Sequence, residues 1–178
     1  MNAALNVFRL QALIHSAPNL GHTPSAYMTN LNALLAQLIP VGQFATMFYG
    51  VVNTVSNTLS YVSAAAPAPV LFRDEGTYDV LDSTGMLLGS MENTTYETRI
   101  VPFNSGDYLL LYSDALTETM DCEENRWDTE KIAQRVRAVL SSTAGNYSSA
   151  FQGLCTDFNS NFSAKLNDDL TIIGCERI

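Results

Sequence analysis

The segment Asp107–Ser113 constrains the fold of this chain more than any other part of the sequence. In it two tyrosines flank three consecutive leucines, so that a strand here would present apolar side chains on both of its faces. A strand that is apolar on both faces has to be covered on both faces. The sequence therefore predicts that this strand lies in the middle of a layered structure.

The first forty residues predict a helical hairpin. Two apolar stripes at helical spacing are separated by a break at Pro18–Gly21, and Thr23 is placed to cap a second helix with Pro24 in its first turn. The first stripe consists of Ala3, Val7, Leu10 and Ile14, and the second of Tyr27, Leu31, Leu34, Leu35 and Leu38.

From Phe44 onwards the apolar pattern changes to that of strands, and helices return near Asp128. The pattern predicts a hairpin of Phe44–Val52 with Thr58–Ala65. It also predicts strands at Val70–Arg73, Tyr78–Leu81, Glu97–Val101 and Leu170–Cys175, the last of them buried. Several antiparallel strands with helices before and after them predict an α+β layered fold. We expect one domain over residues 1–178, with a helical hairpin at 1–40, mainly strands at 44–115, helices at 128–162 and a final strand at 169–176.

Composition narrows the choice of partner and compartment. The formal net charge is -9, and the nine lysines and arginines are scattered, which argues against binding to nucleic acid. No apolar stretch is long enough to span a membrane. Cys122, Cys155 and Cys175 fit no metal or redox motif and are expected to be free thiols. The sequence thus predicts a soluble protein of the cytoplasm.

Two aspartates stand out because of their positions beside predicted strands. Asp114 directly follows the doubly apolar strand, and Asp168 directly precedes the last one. If these strands are neighbours, both carboxylates emerge at the same end of a sheet, where they could hold Mg²⁺ or Mn²⁺. Aspartates at strand ends also commonly form turns or cap helices, and on spacing alone this ordinary role is the better supported.

No motif identifies a nucleophile. The sequence lacks the nucleophile-elbow, zinc-peptidase, dinucleotide and phosphate-loop patterns, so no side chain is assigned a direct catalytic role.

Five short blocks follow one another in a fixed order: Gln43–Gly50, Tyr61–Pro69, Gly85 with Gly89, Gly106–Glu118 and Asp168–Thr171. Together they resemble the sporulation-protein-E-like branch of the metal-dependent serine/threonine phosphatases with the type 2C fold. Their spelling, with AAAPAP and YSDALTE, is similar to that of response-regulator-linked members. The blocks are Gln43–Gly50, like the family's first β-hairpin; Tyr61–Pro69, like NAGHPP; Gly85 and Gly89, like the G-x-P-L-G turn; Gly106–Glu118, like GD-x-L-x-LYTDGxTE; and Asp168–Thr171, like DDxT.

The resemblance implies an α/β/β/α sandwich of antiparallel sheets flanked by helices, with a two-metal Mn²⁺ or Mg²⁺ site. It carries Asp114 and Asp168 over as metal ligands, and Asp169 as a residue that orients them without contacting the metal. In such enzymes water activated between the metals attacks phosphoserine or phosphothreonine. The implied role is signal transduction in bacteria, with a phosphorylated anti-sigma-factor antagonist as the expected substrate.

The sequence also departs from the family. Ala115 replaces the usual glycine, so we expect no positive φ there, and Ala65-Ala66 replaces a Gly-His pair. The family's upstream acidic motifs, GDxYD and GDxSGHG, have no counterpart, and the chain resembles a domain that begins inside the helix after them. We therefore expect an N-terminally truncated fold whose open sheet edges favour self-association, for example as a homodimer.

These departures leave a second hypothesis open. Asp114 and Asp168 alone cannot neutralise two divalent ions that lie close together. The alternative to an enzyme is therefore a catalytically incomplete module with a phosphatase-like fold that binds a partner protein without turnover.

Overall fold

The computed structural model describes residues 3–16, 22–120, 126–143, 146–161 and 168–178. The predicted break at Pro18–Gly21 and Cys122 lie outside these residues. The chain forms two compact units, one of Met1–Ala66 with Ser83–Phe103 and one of Pro67–Asp82 with Asn104–Ile178. One domain over residues 1–178 stays a prediction. Within the described residues no helix has the length and apolar character needed to cross a membrane.

The first unit begins with the predicted helical hairpin. Helix α1 spans Ala3–Ser16 and helix α2 spans Pro24–Leu38. The predicted cap of α2 is confirmed, because the Thr23 hydroxyl oxygen accepts a hydrogen bond of 3.2 Å from the backbone N–H of Ala26. Such a cap satisfies an N–H group that has no partner within the helix.

The predicted apolar stripes are only partly buried. Leu31 and Leu35 of α2 are buried together with Tyr27 and Met28, whereas Leu34 and Leu38 are exposed. In α1 the side chain of Val7 is 64% exposed, although it belongs to the predicted stripe. The helices are apolar around more of their circumference than one sheet face can cover, so periodicity alone did not select the buried side.

Helix α2 packs on a three-stranded antiparallel sheet, and α1 packs on α2. Strands β1 (Met47–Asn53) and β2 (Thr58–Ala64) form the predicted hairpin, and β5 (Arg99–Pro102) pairs with the other side of β2. Tyr27 of α2 stacks on Tyr49 of β1 with 4.4 Å between ring centroids. Val62 and Ala64 of β2 complete the core against α2.

The second unit contains a four-stranded antiparallel sheet. Its strands are β3 (Val70–Phe72), β4 (Tyr78–Val80), β6 (Tyr108–Tyr112) and β7 (Ile172–Glu176), in the order β4-β3-β6-β7. The doubly apolar strand is β6, an inner strand that pairs with β3 on one side and β7 on the other. Its side chains are buried or half-buried on both faces, as predicted.

Three helices accompany this sheet. Helix α3 is a single turn, Ala115–Glu118, while α4 (Thr129–Ser142) and α5 (Tyr147–Asn161) are the two predicted longer helices. The Asp128 carboxylate caps α4 by accepting a hydrogen bond of 2.7 Å from the N–H of Lys131. Side chains of α4 and α5 form one core with β6 and β3, including buried Trp127, Ile132, Val136, Leu154 and Phe158.

The prediction that the last strand is buried was wrong. β7 lies at the edge of its sheet, most of its side chains are exposed, and Ile173 is 51% exposed. A short apolar run resembles a central strand in sequence, but strand order decides how much of it is covered, and here β6 occupies the central position.

The burial of α2 leads to a matched pair of substitutions. Leu31→Ala should lower the free energy of unfolding by about 2–5 kcal/mol, because Leu31 is fully buried and truncation leaves a cavity. Leu38→Ala on the same helix should cost less than about 1 kcal/mol, because Leu38 is 46% exposed. Denaturant unfolding of both variants measures this, and equal losses would contradict the packing described here.

Candidate metal centre

The pairing of β6 with β7 brings the two predicted aspartates to the same end of one sheet. Tyr112 pairs with Ile172 at the ends of the strands. The ladder then continues by one residue, because the N–H of Ser113 donates a hydrogen bond of 2.9 Å to the carbonyl oxygen of Thr171. Asp114 is the next residue on one side, and Asp168 lies three residues before Thr171 on the other.

The Ser113 side chain adds two hydrogen bonds at this point. Its hydroxyl oxygen accepts a bond of 2.9 Å from the N–H of Thr171 and donates one of 3.0 Å to the carbonyl oxygen of Asp169. Ser113 therefore holds the backbone that follows Asp168 against the backbone that precedes Asp114.

Asp114 occupies the N-cap position of α3 but does not act as a cap. Its side chain makes no capping hydrogen bond, and its backbone is already helical at φ -58° and ψ -25°. The side chain is exposed. The ordinary role that its position in the sequence allowed, a helix cap, is therefore not the one it has.

Asp168 lies at a bend, and Asp169 follows it in the segment that leads to β7. One carboxylate oxygen of Asp168 accepts a hydrogen bond of 2.7 Å from the N–H of Asp169. Both side chains are exposed. Asp169 contributes its backbone carbonyl to the contact with Ser113, whereas its predicted role in orienting metal ligands stays a prediction.

These residues fit part of the coordination shell of a divalent cation. Carboxylate oxygens are the ligands that Mg²⁺ and Mn²⁺ prefer, and neither Asp114 nor Asp168 takes part in the ion pairs given for the described residues. Within that part of the chain, however, no group of three or more histidine, cysteine, aspartate or glutamate residues is arranged to hold a metal. The assignment of Asp114 and Asp168 as ligands stays a prediction.

Sequence reasoning missed the role of Asp107, which anchors the start of β6. This carboxylate is only 2% exposed. It accepts hydrogen bonds from Arg73 Nη1 at 3.0 Å, from the N–H of Asn104 at 2.8 Å and from the N–H of Asp74 at 3.2 Å. Its position inside the Gly106–Glu118 block was the available signal, but its partners could not be identified without the fold.

The alanines that replace family glycines behave differently from each other. Ala115 lies in α3, and it is not among the described residues with positive φ, as expected. Ala65, in contrast, keeps a left-handed backbone with φ of +52°, which an alanine side chain disfavours. In the turn with Gly85 and Gly89, there is a steric reason for glycine at position 85, since a Cβ on Gly85 would lie 2.2 Å from the Tyr96 ring.

The two described cysteines give no sign of a reactive thiol. Burial raises the pKa of the Cys155 thiol, which disfavours the thiolate needed for nucleophilic attack. Cys175 is exposed on β7. Both are free, as predicted for this part of the chain.

Comparison with known proteins identifies relatives of the whole chain. Residues 1–178 match the family described as Stage II sporulation protein E (SpoIIE). Phosphoserine phosphatase RsbU of Bacillus subtilis (strain 168) is 28% identical over 180 residues, which cover 98% of this chain and 51% of RsbU. The chain therefore spans about half the length of that relative.

Solved structures show the same fold. The SiaA-PP2C domain of Pseudomonas aeruginosa aligns over 99% of this chain and 70% of its own, with a TM-score of 0.77 and 17% identity. The PP2C phosphatase domain of SpoIIE from Bacillus subtilis, solved with a fragment of its regulatory domain, aligns over 98% and 50%, with a TM-score of 0.76 and 13% identity. The predicted fold class, antiparallel sheets with flanking helices, is confirmed.

The left-handed backbone at Ala65 predicts a stabilising substitution. Ala65→Gly should raise the free energy of unfolding by about 0.5–1 kcal/mol, because relief of the backbone strain exceeds the added entropy of the unfolded chain. Ala64→Gly is the control: Ala64 is fully buried in β2, so the same change should destabilise. Thermal or denaturant unfolding distinguishes the two, and a loss of stability in both variants would contradict the strain at Ala65.

Proposed function

Since the chain belongs to the stage II sporulation protein E (SpoIIE) family, we propose that it acts as a metal-dependent protein serine/threonine phosphatase domain in bacterial signalling. The proposed reaction is hydrolysis of phosphoserine or phosphothreonine on a partner protein. The name of the relative RsbU, a phosphoserine phosphatase, supports this reaction.

The observation that carries the proposal is the junction of β6 and β7. It places Asp114 and Asp168 at the same end of a sheet, and β6 is packed into the core of its unit. A ligand that comes just after a buried strand, as Asp114 does after β6, can hold a cation with little reorganisation. Bound Mn²⁺ or Mg²⁺ would activate water and stabilise the transferred phosphoryl group.

Three aspartates of this chain would have separate roles at the metal centre. Asp114 would supply one ligand from the start of α3, and Asp168 a second from the bend before β7. Asp169 would support Asp168, since its N–H already donates to that carboxylate. Two carboxylates do not fill the shells of two divalent ions, so the complete centre needs acidic ligands of the kind that the family's GDxYD and GDxSGHG motifs provide.

The second candidate function is a module that binds a partner without turnover. It is favoured by Ala65-Ala66, which stands in place of the family's Gly-His pair. The two candidates differ in whether supplying the absent ligands produces a working enzyme.

We further propose the setting in which this domain works. The family resemblance favours a phosphorylated anti-sigma-factor antagonist as substrate and the cytoplasm as the compartment. The net charge of -9 supports a protein partner in preference to a nucleic acid. A homodimer is proposed because β1 and β7 each end a sheet of the described residues, and open sheet edges favour association.

Measurement of phosphate release tests the function. The 178-residue chain with Mn²⁺ should release little phosphate from a phosphoserine protein, because its ligand set is incomplete. A fusion that adds the two acidic motifs from a family member at the N-terminus should hydrolyse the same substrate. Asp114→Asn or Asp168→Asn in that fusion should reduce turnover by at least roughly 10–100-fold, the range found when groups that only orient metal ligands are removed.

Glu75→Gln provides the control, because this exposed carboxylate follows β3 in the same unit and lies at the end of the four-stranded sheet opposite Asp114, where Phe72 pairs with Tyr108. Its turnover should match that of the unmutated fusion. A folded fusion that binds the substrate but releases no phosphate would favour the binding module. Fast hydrolysis by the 178-residue chain would contradict the incomplete ligand set.

A further inference from the structure

The hydroxyl of Ser113 lies close in sequence to Asp114 and has no role in the function proposed above. Ser113 lies half-buried between the last residue of β6 and Asp114. Three of its hydrogen bonds go to the segment 169–171, which directly follows Asp168, and its carbonyl oxygen accepts another from the N–H of Leu116. Ser113 is thus adjacent to Asp114 in the sequence and is hydrogen-bonded to the segment that follows Asp168. Its hydroxyl makes these hydrogen bonds with backbone groups.

Two of these three bonds depend on the hydroxyl. Without it, the N–H of Thr171 and the carbonyl of Asp169 each lose the partner given above, and only the bond from the Ser113 N–H to Thr171 remains. The β6–β7 ladder would then end at a single hydrogen bond, and the bend that carries Asp168 would be held less firmly.

We propose that Ser113 is a positioning residue that sets the spacing between the Asp114 and Asp168 carboxylates. This inference rests on the proposed function, because it assumes that the two aspartates bind one metal centre. The physical reason is that affinity for a hard cation depends on ligand oxygens being held close to the required distances. Groups that orient metal ligands commonly change metal affinity by roughly 10–100-fold when removed.

The hydroxyl is suited to this role because it works in both directions. It accepts from one backbone group and donates to another, which a methyl group cannot do. Threonine keeps the hydroxyl, whereas valine has nearly the same shape without it. The pair Ser113→Thr and Ser113→Val therefore separates hydrogen bonding from packing.

The experiment measures Mn²⁺ affinity of the 178-residue chain by EPR detection of free Mn²⁺, and exchange of the Thr171 amide without metal by NMR. We expect Ser113→Ala and Ser113→Val to weaken Mn²⁺ binding by roughly 10–100-fold and to accelerate exchange at Thr171 severalfold. Ser113→Thr should leave both within about threefold of the unmutated chain. Ser160→Ala, which removes another serine-to-backbone bond in the same unit, should change neither.

The outcomes separate this inference from the proposed function. Asp114→Asn is included as the reference variant without one ligand. If the unmutated chain binds Mn²⁺ no better than Asp114→Asn, the metal centre is wrong and the role of Ser113 with it. If Asp114→Asn weakens binding but the Thr and Val variants bind equally well, the metal centre stands and the positioning role is overturned.

Thermal unfolding without metal accompanies each variant. A difference in Mn²⁺ affinity between Thr and Val variants that unfold at the same temperature supports positioning, because a general loss of stability would affect the melting temperature as well. If Val lowers the melting temperature and leaves Mn²⁺ affinity unchanged, Ser113 is only a structural residue and the proposal is wrong.

Discussion

The pairing of β6 with β7 is the constraint on which the proposed chemistry depends. Five residues of each strand pair in register, from Tyr108 with Glu176 to Tyr112 with Ile172. β6 is held on its other side by β3 and covered by side chains of α4 and α5. The end of this sheet is therefore fixed by a packed core, and residues just beyond it inherit a defined position. The proposed function requires this rigidity, because a cation binds more tightly to ligand oxygens that are already held at the required positions.

The two ends of β6 carry carboxylates in different surroundings. Just before β6, the carboxylate of Asp107 is buried, forms an ion pair with Arg73 and accepts hydrogen bonds from two backbone N–H groups. At the other end, Asp114 is exposed and does not cap the helix that it begins. A carboxylate that is satisfied and buried contributes to folding, whereas one left in water can bind a ligand at low desolvation cost.

Much of the fold could be predicted from the sequence because its signals are local. The cap at Thr23, the start of a helix near Asp128 and the doubly apolar strand depend on neighbouring residues, and all three are observed. The exposure of Val7 and of the last strand could not be predicted, since it depends on which layer covers each side. In the candidate site, too, local features could be predicted and contacts between distant segments could not. The sequence raised the adjacency of the strands next to Asp114 and Asp168 only as a condition, which the pairing of β6 with β7 meets. It did not point to Ser113, because the partners of the Ser113 hydroxyl lie 56 and 58 residues away.

The central claim is that Asp114 and Asp168 converge on one cation. The most direct measurement is a crystal structure of the chain grown with Mn²⁺, with the ion located by its anomalous scattering. We expect an ion within about 2.5 Å of a carboxylate oxygen from each aspartate. An ion bound away from both residues, or two carboxylates that point apart with no ion between them, would contradict the claim.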